Sequence, residues 1–186
     1  MRRKDREMDP SFGLQVLDNS DYGTLAMVDL EGKPYCIPIS FVVIDEFIYF
    51  HSARAGKKVQ ILEQHPVICM SFVSYVQVPR HMTREKIEEA ISAGRFGELA
   101  SKVFTTEFAS CYVEGICQIV EDDEESIRVL VALCKKHVPE MLDYAEAGAR
   151  HSLKATQVYR VQITELTAKR KAFDAYGQEM KWGRME

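Results

Sequence analysis

The sequence has few of the features that mark metal-binding or dinucleotide-binding proteins. It contains no GxGxxG segment, which is the fingerprint of a dinucleotide-binding fold. Its five histidines are dispersed without the spacing of metal ligands, so we predict no metal site. There is no CxxC pair either. We expect the five cysteines to be buried free thiols of a protein in the reducing cytoplasm; they are Cys36, Cys69, Cys111, Cys117 and Cys134.

The chain also lacks a long apolar run and an excess of basic residues. The 24 Lys and Arg residues are outnumbered by 28 Asp and Glu, and the net charge of −4 argues against nucleic acid as a bulk partner. No apolar segment is long enough to cross a bilayer, and no signal region follows Arg2-Arg3-Lys4. We therefore expect a cytoplasmic protein with no membrane partner, folded as one domain over residues 1–186.

Segments rich in β-branched and aromatic residues predict a mainly β fold. The first three strands are joined by short turns and predict a meander, and the apolar pattern of 67–76 predicts a central strand covered on both faces. Gly115 predicts a bulge or bend. We expect a small antiparallel barrel with peripheral helices, and an open α+β sheet is the alternative. The six predicted strands are residues 24–28, 35–44, 47–51, 67–76, 104–120 and 156–164.

Capping residues and helical periodicity predict the helices between these strands. Asp9, Thr83 and either Asp122 or Asp123 are the expected N-caps. Further helices are predicted over 55–64 and from Pro139 to about 147. The charged tail, residues 168–186, contains Trp182, the only tryptophan, which we expect to anchor it.

The most informative segment is the end of the third strand and the start of the following helix. A hydroxyl, an imidazole, a glycine and three cations occur between His51 and Lys58, where helix N–H groups are free. This chemistry suits a phosphate group; the alternative is a solvated basic turn. Adjacent helical residues point about 100° apart, so we expect only one lysine to reach the phosphate, and we favour Lys58 over Lys57. His51 is either a donor to a ligand or a strand-end histidine bonded to backbone.

Several segments together resemble the 5-nitroimidazole resistance proteins. They are Met1–Glu7, Gly23–Ala26, Lys33–Phe41, Ile48–Ala53, Gly56–Lys58 and Phe104–Ser110. That family is part of the larger pyridoxamine 5′-phosphate oxidase-like group of FMN-binding split barrels. The resemblance covers most of residues 1–75 and 103–166. It implies a six-stranded antiparallel split β-barrel of Greek-key topology, forming a homodimer with FMN at the subunit interface.

The same resemblance implies the site residues. The strand from Ile37 to Val42 would lie along the isoalloxazine ring, and the segment from Phe50 to Lys58 would bind the ribityl phosphate. His51 would be the catalytic residue. The complete implied set of FMN contacts is Pro38, Ile39, Ser40, Phe41, Phe50, His51, Ser52, Lys57, Lys58 and Ser110.

The implied activity is flavin-dependent reduction of a small-molecule electron acceptor, including nitroaromatic compounds. A non-catalytic flavin-binding or sensing module and a haem-handling split barrel are the alternatives. The sequence departs from the family pattern at the helical insertion, residues 78–103, and at Glu107, where an aromatic residue is common. The insertion is either a peripheral brace or a lid over the flavin hinged at Gly94 and Gly97. The substrate-binding arginines of the oxidase branch have no counterpart here, which argues against pyridoxamine phosphate oxidation.

Overall fold

The computed structural model of the chain describes residues 1–182 and shows a mainly β protein with helices around one curled sheet. The strands are β1 (Glu7–Met8), β2 (Tyr22–Val28), β3 (Pro34–Ser40), β4 (Val42–Ile44), β5 (Phe47–Ala53), β6 (Val67–Gln77), β7 (Glu107–Ile119) and β8 (Thr156–Lys171). The helices are α1 (Pro10–Asp18), α2 (Lys57–Gln64), α3 (Arg84–Ser92), α4 (Phe96–Lys102), α5 (Asp123–His137) and α6 (Leu142–Ser152).

The strand order explains how the sheet becomes a split barrel. Its order is β3-β2-β6-β7-β8-β5-β4, with β1 added against β8, and all pairs are antiparallel. β3 and β4 are consecutive in the chain yet lie at the two ends of this order, so the chain near Phe41 crosses between the two edges. The predicted antiparallel barrel with peripheral helices is confirmed.

The two pairings of the predicted meander are present, but its middle strand is broken in two. The expected strand 35–44 is interrupted at Phe41, whose ring is fully buried and packs against Phe72 with ring centroids 4.6 Å apart. Burying Phe41 turns the chain across the barrel, so its two halves join different hairpins, β2–β3 and β4–β5. This break, together with the two-residue β1, accounts for eight strands where six were predicted.

Side-chain alternation along β5 separates two hydrophobic clusters. Phe50 points into the barrel and stacks on Tyr159, with ring centroids 5.0 Å apart. Tyr49 points outward into a second cluster that includes Val129 of α5. The barrel is therefore filled from inside, and α5 and α6 cover its outer face beside β5.

The predicted helix starts are confirmed by their caps. Asp9 accepts a hydrogen bond from the Phe12 N–H at 2.9 Å, and Asp122 accepts one from the Glu125 N–H at 2.6 Å. Thr83 caps α3 in the same way. The insertion forms α3 and α4 as expected, and α6 extends beyond the predicted end at residue 147. Trp182 is 73% exposed and is held by its backbone N–H, which donates to the Asp5 carbonyl oxygen at 3.3 Å.

The long strands β6, β7 and β8 form the centre of the sheet. The predicted bulge is confirmed, since the β7–β8 register shifts between Glu114 and Gly115. A Cβ atom at Gly115 would lie 2.6 Å from the Gln162 carbonyl oxygen, so this close approach of two backbones requires glycine. In a single chain β6 is covered on one face only: Val67 and Val76 on the other face are 70% and 62% exposed.

Candidate functional site

The basic turn, residues 51–58, joins β5 to α2 and leaves the start of α2 open. Gly56 is the N-cap residue, and its φ of 122° lies in the region that favours glycine. No side chain within residues 1–182 caps this helix. Its first N–H groups are therefore available to an anion, and the partial positive charge of the helix start adds to the nearby cations.

The two lysines of the basic turn have different surroundings. The Lys57 Nζ forms an ion pair with Asp29 at 3.2 Å and lies 5.2 Å from the centre of the Tyr35 ring. Lys58 is half-buried, and no carboxylate in residues 1–182 forms an ion pair with it. Burial lowers the pKa of Lys58, with Cys117 acting in the opposite direction. Lys58 is thus the lysine that gains most from an anionic ligand.

The other polar groups of the basic turn are already engaged, apart from His51. Arg54 donates to the Leu153 carbonyl oxygen at 2.9 Å, and the Ser52 hydroxyl donates to the Ala53 carbonyl oxygen at 2.7 Å. Burial, followed by the charge of Lys58 and the neighbouring His137, lowers the pKa of His51. The lowered pKa favours the neutral imidazole, which has one N–H donor and one acceptor nitrogen.

The predicted ring-binding strand presents less side-chain surface than expected. The side chains of Phe41 and Phe50 are fully buried in the barrel core, so only their backbone can face a ligand. Ile39 is also buried, whereas Pro38 is exposed and Ser40 is half-buried. Among the FMN contacts predicted on this strand, Pro38 and Ser40 are those whose side chains are not buried.

A cavity of about 420 Å³ lies between the barrel and the pair of helices α5 and α6. Ser40 and His51 line it from the barrel side, so the structure brings these two predicted residues together. Sequence reasoning missed the helical wall. The periodic apolar residues of α5 and α6 predicted packing but did not show which of them border a cavity. The principal lining residues of this α5–α6 cavity from outside the prediction are Tyr22, Leu133, Cys134, His137, Met141 and Tyr144.

Ser110 lies apart from this group, on the outer face of the sheet. It lines a second cavity of about 690 Å³, the sheet-face cavity, together with Val73, Val76 and Tyr112. On β8, Ser110 pairs with Lys169 and His51 pairs with Val158. These two partners are eleven positions apart, which is about 36 Å measured along an extended strand. Within one chain, Ser110 and the basic turn are therefore placed towards opposite ends of β8 and line different cavities.

The two buried cysteines, Cys111 and Cys117, are not nucleophiles. Burial raises the pKa of Cys111 and of Cys117 to about 12, so both are neutral thiols at pH 7. The expectation of buried thiols is wrong for Cys36, which is exposed. It lies on β3, and β3 is at an end of the strand order, where its side chain is not covered.

The part of the chain that the structure describes has neither a metal-binding cluster nor a membrane-spanning helix. Within residues 1–182 there is no group of three or more His, Cys, Asp or Glu side chains that could hold a metal ion. Over the same residues, none of the helices has the length and apolar character needed to span a membrane.

An antiparallel split barrel with a basic turn between β5 and α2 defines the class of this protein. A family model described as pyridoxamine 5′-phosphate oxidase matches residues 13–170, which is most of the chain. The chain belongs to this family, in the split-barrel group that the sequence resemblance had indicated. No curated protein matches the chain at a significant level.

Solved structures with the same fold differ widely in sequence. A protein from Bacteroides thetaiotaomicron assigned to 5-nitroimidazole antibiotic resistance is 18% identical, with a TM-score of 0.65, and the match covers 88% of this chain and 85% of that one. The flavocytochrome Anf3 from Azotobacter vinelandii is 17% identical, with a TM-score of 0.68 and coverage of 94% and 71%. A FAD- and haem-binding protein from Mycobacterium smegmatis is 18% identical, with a TM-score of 0.64 and coverage of 88% and 71%.

Proposed function

We propose that this chain is a homodimeric flavoprotein that binds FMN between two copies and reduces a small oxidised acceptor. The observation that carries the proposal is Lys58, a half-buried cation without an ion-pair partner in residues 1–182, next to the open start of α2. The terminal phosphate of FMN supplies the negative charge and the acceptor oxygens that this turn lacks. The names of two solved neighbours, a flavocytochrome and a FAD- and haem-binding protein, support a flavin as the ligand class.

The distance between Ser110 and the basic turn supports a site made by two chains. The two regions lie about 36 Å apart when measured along β8, and they line different cavities, which favours a flavin that contacts the basic turn of one copy and Ser110 of the other. The exposed apolar face of β6 and β7, with Val73 and Tyr112, offers a surface for a second copy. In such a dimer, Ser110 of one copy would approach the flavin whose phosphate is held by the basic turn of the other.

The protein residues would then bind and orient the ligands and donate hydrogen bonds to them. FMN would supply the hydride or electron transfer. Lys58 and the N–H groups of α2 would hold the phosphate, and Ser40 would lie beside the ring. His51 is next to both regions, and its lowered pKa leaves it neutral and able to donate a hydrogen bond to the acceptor.

Titration of flavin-free protein with FMN tests the phosphate site. Lys58→Ala removes a charge-assisted hydrogen bond worth about 1.5–3 kcal/mol, so we expect FMN binding to weaken about 10- to 150-fold. Lys57→Ala is the matched control, because Lys57 already pairs with Asp29, and we expect a smaller loss. Unchanged affinity in both variants would refute the phosphate assignment. Parallel titrations with FAD and riboflavin check that the terminal phosphate is what is recognised.

A haem-handling protein is the second candidate, because His51 and His137 border the same cavity. The absorption spectrum of the purified protein separates the two. A flavin absorbs in the blue and in the near ultraviolet, whereas haem gives an intense Soret band. A Soret band that disappears in His51→Ala or His137→Ala would favour haem over the flavin proposal.

A further inference from the structure

The outer face of β7 and β8 carries three charged side chains that form no ion pair within their own chain. Lys169 and Glu165 of β8 are both exposed and line the sheet-face cavity. Glu114 of β7 is exposed as well and lies directly opposite Glu165 in the strand register. Within residues 1–182, none of these three side chains has an ion-pair partner. They are therefore available to charges from another molecule.

The two carboxylates make this face unfavourable in a single copy. Like charges directly opposite each other on neighbouring strands destabilise a sheet. The Tyr112 hydroxyl donates to the Glu114 carboxylate at 2.9 Å, but it is a neutral group and leaves both negative charges in place. Lys169 is four positions from Glu165 on the same strand, and its Nζ lies 5.5 Å from the centre of the Phe108 ring. A cation from another molecule would remove the repulsion.

The charges are arranged symmetrically about the pair formed by Tyr112 and Thr167. These two residues lie opposite each other in the β7–β8 register, and both line the sheet-face cavity. Lys169 follows Thr167 by two positions and Glu165 precedes it by two, so each charge lies about 7 Å from it along the strand. A two-fold axis across the strands at this level, between two stacked sheets, would place Lys169 of each copy opposite Glu165 of the other.

The surroundings of these charges suit a protein surface better than a metal ion. Val73 and Val76 line the same cavity and are 47% and 62% exposed, so a second copy would bury apolar area that a hydrated ion leaves in water. A metal ion also needs more ligands than two neighbouring carboxylates, and residues 1–182 contain no group of three or more candidate ligands. A lysine on a complementary face supplies the missing charge.

We propose that a second copy of this chain docks on the sheet face with its two-fold axis at the level of Tyr112 and Thr167, and that Lys169 of each copy pairs with Glu165 of the other. Glu114 lies beside Glu165 and adds to the negative charge that the lysine meets. This inference rests on the homodimer of the proposed function and specifies how its two copies are oriented.

This axis brings Ser110 closer to the basic turn of the other copy. Ser110 lies opposite Lys169 in the register, so it would reach the level of Glu165 of the other copy. Glu165 is seven positions from Val158, the register partner of His51, which is about 23 Å along the strand instead of about 36 Å within one chain. The second copy therefore shortens the distance that a flavin has to span between the two regions.

Two charge reversals, studied alone and mixed, test the pairing between copies. Lys169→Glu places carboxylates opposite carboxylates at both contacts of its homodimer, and Glu165→Lys places lysines opposite lysines. Sedimentation should show the dimer weakened about 100-fold or more in Lys169→Glu, and about tenfold or more in Glu165→Lys, where Glu114 is retained. In an equimolar mixture both contacts join opposite charges, so the two variants should form a heterodimer with an affinity within about tenfold of that of the wild type.

The matched controls reverse charges elsewhere on the surface. Lys154 and Glu121 are exposed and lie outside the sheet-face cavity. Lys154→Glu and Glu121→Lys should each dimerise as the wild type does. Formation of the heterodimer also shows that both chains with reversed charges at the sheet face are folded.

Titration of the wild type with FMN separates this inference from the flavin proposal. If either sheet-face reversal leaves the dimer unchanged, or if both weaken it and their mixture stays monomeric, the proposed axis is wrong even where FMN binds. If the heterodimer forms but FMN does not bind the wild type, the interface stands and the flavin proposal is wrong. A wild type that is monomeric with and without FMN would overturn both.

Discussion

Glu107 offers a sharp test of how the insertion and the C-terminal segment are held. Its side chain is buried and accepts hydrogen bonds from the Tyr75 hydroxyl at 2.9 Å, from the Gln77 amide, and from the Phe173 N–H at 3.0 Å. The His81 Nε2 lies 3.2 Å from the same carboxylate. These four groups belong to β6, to the start of the insertion and to the segment after β8. One carboxylate thus joins three parts of the chain.

The size of the effect follows from these four contacts. Glu107→Leu leaves buried donors unpaired, and breaking a buried charged network in this way costs about 3–5 kcal/mol. For a chain of this length, that corresponds to a melting temperature lower by about 6–20 °C. Glu107→Gln keeps the shape but can accept at one oxygen only, so its loss should be smaller.

The pH dependence has a definite sign. Burial alone would raise the pKa of Glu107, but the hydrogen bonds from Gln77, Tyr75, His81 and Phe173 outweigh it and lower the pKa. The unfolded chain therefore binds the proton more readily. The stabilisation is complete above the pKa of the unfolded carboxyl, near 4.3, and is lost as the pH falls through the folded value.

Chemical denaturation from pH 2 to pH 8 measures both effects, because this range includes the pH below about 4.3 at which the stabilisation is lost. We expect the free energy of unfolding of the wild type to be lower at acid pH than at neutral pH. This decrease should be smaller in Glu107→Gln. Glu121→Gln, at an exposed glutamate, is the control and should follow the wild type. A loss below 1 kcal/mol in Glu107→Leu, or an unchanged acid slope in Glu107→Gln, would contradict this account of the network.

Three further predictions test the sheet face, the bulge and the insertion. Sedimentation of the wild type should show about twice the chain mass of 21.3 kDa. Val73→Lys should weaken the dimer more than about 100-fold, because it would bury an unpaired charge in the interface. A wild-type monomer that still binds FMN would contradict this prediction. Gly115→Ala should cost about 1–3 kcal/mol in unfolding experiments, since its Cβ would crowd the Gln162 carbonyl; a neutral result would mean that the strands separate easily. If the insertion is a lid, replacing residues 82–100 by a short Gly-Ser bridge should keep the dimer and its FMN but change the quenching of the flavin or the range of acceptors. Unfolding of this variant, or no change in quenching and acceptor range, would refute the lid.

The features predicted correctly from the sequence are those that depend on neighbouring residues. The N-caps Asp9, Thr83 and Asp122 satisfy N–H groups three residues further on, so a local pattern is enough to find them. Gly115 in a long apolar strand indicated a bulge for a similar reason. The basic turn was found in this way too, because the end of β5 and the start of α2 are adjacent in the chain.

The features that were missed depend on contacts between distant residues. The break at Phe41 follows from its packing against Phe72, which no pattern within residues 35–44 reveals. β8 continues to Lys171, beyond the predicted end at residue 164, because β7 and β1 provide partners along this length. The cavity beside His51 is likewise made by α5 and α6, which follow in the chain only after β7.

The position of the insertion changes what a lid could cover. Residues 78–103 lie between the end of β6 and the start of β7, and this end of the sheet also holds Glu107 and Ser110. The basic turn lies at the other end, because His51 and Ile119 pair with the adjacent β8 residues Val158 and Tyr159. The insertion therefore cannot close over the phosphate turn of its own chain without leaving its anchor. If it covers a flavin, that flavin is one whose phosphate is held by the second copy, and its effect on the acceptor should then disappear when Val73→Lys separates the dimer.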